Sequence, residues 1–164
     1  MGGYLAARSA AFEDRIAACI LDDGVLDIYE NYMQKAGELK KVIEDGNAEV
    51  ANVAIETSMY FDISARWAFS HGTFGAKKPV GLFAKEDYTL KNITQNIKCP
   101  TLVLEAEMDD AFSGGPEKVY NSLRCPKKHI LFTVEEGAED HCQVASLSLS
   151  NQRIFDWLDE IFKI

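Results

Sequence analysis

The chain has 164 residues, 47% of them hydrophobic, which suits one globular domain, or a large piece of one, with a sizeable core. Its net charge of −9, with basic residues clustered only as the pairs Lys40-Lys41, Lys77-Lys78 and Lys127-Lys128, argues against a nucleic-acid partner. No apolar run approaches the ~18 residues of a membrane span, and the first residues lack the basic and apolar stretches of a signal peptide, so neither membrane insertion nor secretion is expected.

The four cysteines, Cys19, Cys99, Cys125 and Cys142, form no Cys-x-x-Cys pair and no zinc-spaced cluster with histidine. They read as buried free thiols in a reducing, cytoplasmic setting.

In chain order, residues 1–14 open with Gly2-Gly3 and run on as an Ala-rich, helix-favouring stretch whose small residues suit close packing on a sheet. Arg15 to Leu21 is a nearly unbroken apolar run ending at Asp22-Asp23-Gly24, the pattern of a parallel strand covered on both faces followed by a turn. From Val25 onward the pattern is helical. Tyr29, Met33, Gly37 and Lys40 mark one helix ended by Gly46, and Asn47 is placed to cap a second with Val50, Val53, Ala54 and Thr57 inward. Tyr60, Phe61, Ser64, Trp67 and Ala68 continue an aromatic stripe until Gly72, Gly75 and Pro79 break it, and 87–96 reads as a further short helix.

Thr101–Ala106 is the second strand, Pro116–Leu123 a helix with proline in its first turn, and His129–Val134 the third strand. The last helix, capped by Ser148 or Ser150, turns Ile154, Trp157, Leu158, Ile161 and Phe162 inward. Strands alternating with helices predict an α/β fold with three parallel strands and right-handed crossovers. The stretch 25–96 is too long for an ordinary connection and is expected to form a helical cap, with 1–24 and 97–164 as the core.

Two stretches carry the chemistry. Thr-Leu-Val-Leu-Glu-Ala-Glu-Met-Asp-Asp-Ala-Phe (101–112) is a strand ending in acids, and Glu-Glu-Gly-Ala-Glu-Asp-His-Cys (135–142) follows the next strand. In a parallel sheet both ends fall on one edge, so Asp109 can hold and polarise His141, which then moves a proton to or from a hydroxyl. Asp110, one residue along, is the alternative acid, and Asp22 or Asp23 after the first strand is another. His129 and His71 suit structural positions better. Glu135, Glu136, Glu139 and Asp140 have no suitably spaced histidine, so no metal is expected.

Residues 100–162 resemble the end of an α/β-hydrolase, through Pro-Thr-Leu-Val-Leu-Glu-Ala-Glu-Met-Asp, Phe112, Gly115-Pro116, the Asp140-His141-Cys142 stretch and Arg-Ile-Phe-Asp-Trp-Leu (153–158). Arg66-Trp67-Ala68, His71-Gly72 and Phe74-Gly75 resemble the cap of the branch that includes FrsA-like proteins, fungal polyketide-shortening hydrolases and dihydropseudooxynicotine hydrolase. Relatives tend to carry glutamine where Gly115 stands. The resemblance implies a serine nucleophile on a Gly-x-Ser-x-Gly elbow, and no such motif occurs in the chain; Ser113, before Gly114-Gly115, lacks the upstream glycine.

Met1-Gly2-Gly3 looks like the end of that elbow. The resemblance therefore places the serine immediately before Met1 and implies an oxyanion-hole role for the Met1 backbone N–H. It further implies a small-molecule ester or a C–C bond beside a carbonyl as substrate and no cofactor. Trp67, His71 and Phe74 are the candidates for lining a pocket, although the aromatic stripe of Tyr60, Phe61, Trp67, Phe69 and Phe74 suits the core of the cap better than a substrate cage. The expectation is thus a serine hydrolase whose acid and base are present here without the nucleophile. The alternative is a non-catalytic interaction or ligand-binding module. Its partner would be a second copy or the remaining half of the fold.

Overall fold

The computed structural model describes residues 1–61, 66 and 88–163. The chain divides into two compact units, one formed by Met1–Asp27 with Leu90–Ile164 and the other by Ile28–Thr89.

The larger unit is built on a parallel sheet of order β1-β2-β3, with β1 Cys19–Asp22, β2 Thr101–Ala106 and β3 Lys127–Phe132. The register pairs Cys19 with Thr101 and Thr101 with Lys127, so the three strands run out at the same edge. Strand β2 is central, and Thr101, Leu102, Val103 and Leu104 are all fully buried, which accounts for its unbroken apolar sequence. Leu102 and Leu104 join Phe132, Ala138 and Trp157 in one core, the last from the helix Leu147–Phe162 (α6). On the opposite face Gly24 lies against Val103, Leu21 and Val119, the last from the helix Gly115–Ser122 (α5). Burying each of these leucines contributes about 1.5–3 kcal/mol.

Helix α1, Gly2–Ala10, buries Gly3, Tyr4, Ala7 and Ala10. A Cβ on Gly3 would come within 2.9 Å of the backbone oxygens of both Asp22 and Asp23, so only glycine lets the helix start this close to the turn after β1.

The strand boundaries differ from the sequence reading at both outer strands. Strand β1 begins at Cys19 rather than Arg15, because Arg15 is tied by side chain and amide to Glu13 in the preceding turn. Strand β3 begins at Lys127 rather than His129. The Lys127 ammonium donates to the carbonyls of Tyr120 and Leu123 at 2.7 and 2.9 Å, satisfying the end of α5. The N-cap position of the last helix is Ser146, not Ser148 or Ser150, and its side chain makes no capping bond; Phe162 faces outward at 46% exposure. The short helix expected over 87–96 is a turn with one 3-10 segment, Thr94–Asn96, in which Leu90 and Ile97 are buried; residue 87 lies outside the described residues.

The smaller unit contains α2 (Ile28–Lys35), α3 (Glu38–Glu44) and α4 (Ala48–Phe61). The single helix expected across Tyr29 to Lys40 is two helices, broken at Gly37 where φ is +52°, a conformation that glycine adopts without a steric cost. Helix α4 is also rotated from the expected phase: Ala51, Asn52 and Ile55 are buried, whereas Val50 and Val53 are exposed.

Of the cysteines, all free, only Cys19 is fully buried, and the other three are half-buried. Among the described residues no helix is long and apolar enough to cross a membrane.

Candidate active site

Three turns meet at the shared edge of the sheet. The turn after β2 presents Asp109, 4% exposed. Its Oδ1 accepts the backbone N–H groups of Ala111 at 2.7 Å and Phe112 at 3.3 Å, which fixes the carboxylate and leaves Oδ2 pointing outward from the turn. Asp110 is exposed, and of the two neighbouring acids it is Asp109 that reaches His141.

After β3 the chain makes a 3-10 turn, Val134–Glu136, closed by a capping box between Thr133 and Glu136, and then a second, His141–Gln143. The Met108 N–H donates to the Glu139 carbonyl at 3.0 Å, joining the two loops. His141 emerges with its Nδ1 3.0 Å from Asp109 Oδ2 and its ring 5.7 Å from that of Phe112.

The turn after β1 reaches the same atom. Asp23 Oδ2 lies 2.9 Å from His141 Nδ1 and accepts the Cys142 N–H at 2.6 Å. Two of the candidate acids, Asp109 and Asp23, thus converge on one imidazole, an outcome that spacing along the chain does not reveal. Asp23, Cys142 and Gln143 all have φ near +50°, and backbone in this region is retained only where surrounding contacts hold it.

The electrostatics follow from this crowding. Hydrogen bonding to Asp109 and Asp23 raises His141 from an ordinary 6.5 to about 12. Burial pushes the Asp109 carboxyl upward, but the bonds from His141 and the two amides outweigh it and leave the group below its ordinary range. Burial, then the neighbouring Asp23 charge, raises Asp22. The Oδ1 atoms of Asp22 and Asp23 are buried without a hydrogen-bond partner among the described residues.

Asp23, His141 and Cys142 also bring donor-type atoms within 4.8 Å of one another. The Asp23–His141 contact is already a close ion pair, and the grouping is not assigned to a metal. His129, the structural histidine of the sequence reading, lies with Nε2 2.8 Å from Glu105 on the neighbouring strand.

Met1 precedes α1, and its carbonyl accepts the Leu5 N–H at 3.1 Å. Because Gly3 abuts the Asp22-Asp23 turn, the start of α1 belongs to the same edge as Asp23. Trp67, His71 and Phe74 lie outside the described residues.

No protein-family model matches the chain. It is 30% identical to 20-hydroxy-prefusarin hydrolase FUS2 of Gibberella moniliformis and 29% identical to the hydrolase LUC6 of a Fusarium species, in each case over the whole chain and 42% of the relative. The hydrolase acrC of Aspergillus aculeatus is 25% identical, again over the whole chain and 41% of that protein. The chain therefore spans about two-fifths of the length of the curated relatives it matches. Among solved structures, 2,6-dihydroxy-pseudo-oxynicotine hydrolase matches 97% of the chain and 37% of its own at a TM-score of 0.55 and 20% identity. MenH from S. aureus matches 97% of the chain and 65% of its own at 0.53 and 18%. With three parallel strands, their flanking helices and these likenesses together, the chain has part of an α/β-hydrolase fold and is similar, over about two-fifths of their length, to proteins named as hydrolases.

Proposed function

We propose that Asp109 and His141 are the acid and the base of a serine hydrolase acting on a small-molecule ester or on a C–C bond beside a carbonyl. The observation that carries this is the 3.0 Å contact between a buried, strand-end carboxylate and an imidazole from the next strand's loop. In such a pair the carboxylate holds Nδ1–H and stabilises the imidazolium, while Nε2 takes the nucleophile's proton and returns it to the leaving group. The chemistry needs water and no cofactor. Residues 25–96 would act as the cap that selects substrate, with Trp67, His71 and Phe74 toward the pocket, and the Met1 N–H would serve the oxyanion.

No serine of the chain sits in a Gly-x-Ser-x-Gly elbow, so the nucleophile of this reading lies outside the 164 residues. A fluorophosphonate probe should leave the chain unlabelled. It should label one serine in a protein extended by its own upstream coding segment, and His141→Gln should abolish that labelling. Stoichiometric labelling of a serine within the 164 residues, or an unreactive extended protein, overturns the proposal.

One observation favours a second reading, in which the chain alone is non-catalytic. Two carboxylates, Asp109 at 3.0 Å and Asp23 at 2.9 Å, bond the same His141 Nδ1 and favour the charged imidazolium, which weakens the ring as a base.

A further inference from the structure

One carboxylate is more than the acid–base pair requires. Asp23 is 2% exposed, holds φ at +50°, and directs one oxygen at two donors of the His141 loop, the ring Nδ1 at 2.9 Å and the Cys142 N–H at 2.6 Å. Cys142 is itself held at φ +54°. A left-handed residue on each side of the contact is thus tied down by a single side chain. Asp109 approaches the same Nδ1 at 3.0 Å from the turn after another strand. The ring's Nδ1–H is forked between two carboxylates carried by two different strands.

We propose that Asp23 is a second positioning carboxylate, sharing the His141 Nδ1–H with Asp109 and fixing the His141 loop through the Cys142 N–H, so that the imidazole keeps its orientation and tautomer when either acid is neutralised. The inference rests on the reading of His141 as the general base. It assigns Asp23 no contact with substrate. Binding Nδ1–H from two sides leaves Nε2 as the nitrogen available for proton transfer. The charged and titratable groups facing the ring are Asp109 from the turn after β2, Asp22 and Asp23 from the turn after β1, and the adjacent Cys142 thiol.

The plainer role for Asp23 is a staple for the Cys142 amide alone, and the ring's own titration separates the two. The chain has three histidines, so imidazole nitrogens can be followed by NMR on the 164-residue chain, with His141→Gln identifying the resonance. In Asp109→Asn, His141 should still titrate at least about one pH unit above 6.5 and keep its proton on Nδ1. In Asp23→Asn the midpoint should fall by at least about one unit from that of the unsubstituted chain, a tenfold loss of proton affinity. The double variant should titrate near the ordinary 6.5.

A midpoint at the ordinary value in Asp109→Asn, or one unchanged by Asp23→Asn, overturns the proposal. Should Asp23→Asn fail to fold, the Asp109→Asn measurement decides alone, because it leaves the Asp23 turn intact. None of these readouts needs turnover, so an inactive extended protein would sink the hydrolase reading without touching this one.

Discussion

At the scale of the residue, the charge on His141 links the site to stability. Hydrogen bonds to Asp109 and Asp23 make the folded chain bind this proton more tightly than the unfolded chain does, with a folded value of about 12 against an ordinary 6.5. The stabilisation is therefore complete below about pH 6.5 and is lost as pH rises toward 12. Asp109, held below its ordinary 3.8 overall, works in the opposite direction: its contribution is present above that value and is lost as pH falls through the folded one.

The melting temperature of the unsubstituted chain should thus exceed that of His141→Gln most clearly near pH 6, and the difference should narrow steadily toward pH 9. The Cys19 thiol, pushed by burial to about 12, resists high pH in both proteins and drops out of the comparison. A difference that stays constant or widens over that range would refute the assignment. The effect is moderated by water, since the His141 side chain is 47% exposed. The meeting of Asp109 with His141 at one sheet edge was legible in the sequence because each follows an apolar strand-like run. The choice between Asp109 and Asp110 was not, because the Ala111 and Phe112 amides decide it. Nor was the convergence of Asp23 on the same nitrogen, which depends on how two turns meet in space.

At the scale of the element, the most legible pieces were those whose burial is two-sided or strongly one-sided. Strand β2 matches its expected span, because every residue from Thr101 to Leu104 is buried and nothing interrupts the run. The outer boundaries moved where polar side chains found backbone partners, as Arg15 did with Glu13 and Lys127 with the end of α5, pairings that hydrophobic pattern does not encode. Helix α4 has apolar residues on most of its circumference, so its phase could not be read, and Val50 and Val53 turned outward.

Helix α1 gives the element-scale prediction. Its seat on the turn after β1 depends on Gly3, where a methyl group would meet two carbonyl oxygens at 2.9 Å. Backbone cannot swing aside as a flexible side chain can. Gly3→Ala should therefore destabilise the chain by about 1–3 kcal/mol in chemical denaturation. It should also perturb the His141 resonance, because the displaced turn is the one carrying Asp23. Gly2→Ala, with open space around the position, is the matched control and should move neither quantity. Equal effects at both glycines would show that helix propensity, not close packing, governs the site.

At the scale of the whole molecule, the sheet decides what the chain does with its surface. Among the described residues β1 pairs with β2 alone, and β3 likewise, so both outer strands leave a row of backbone donors and acceptors unpaired within the sheet. The two edges are not equivalent. Strand β3 is guarded by charge, with Lys127 bound to α5, Lys128 paired to Glu160 at 3.2 Å, and only Phe132 of its six residues fully buried. Strand β1 reads Cys-Ile-Leu-Asp and offers no charge before its last residue. Natural sheets protect edges with lysine, proline or a covering element, and an apolar edge without them templates pairing with another strand.

Through β1, then, the chain should associate with a second copy or with a separate strand-bearing segment of the same fold. Sedimentation velocity across a hundredfold range of concentration should show a weight-average mass that rises above the monomer's. Ile20 also packs against the core, so its replacement with lysine is read only where circular dichroism shows the variant folded; there it should reduce that rise more than the same change at the exposed Val53 of the other unit. A chain that remains monomeric throughout, or one whose association responds to Val53 rather than Ile20, would show that the β1 edge is not the contact.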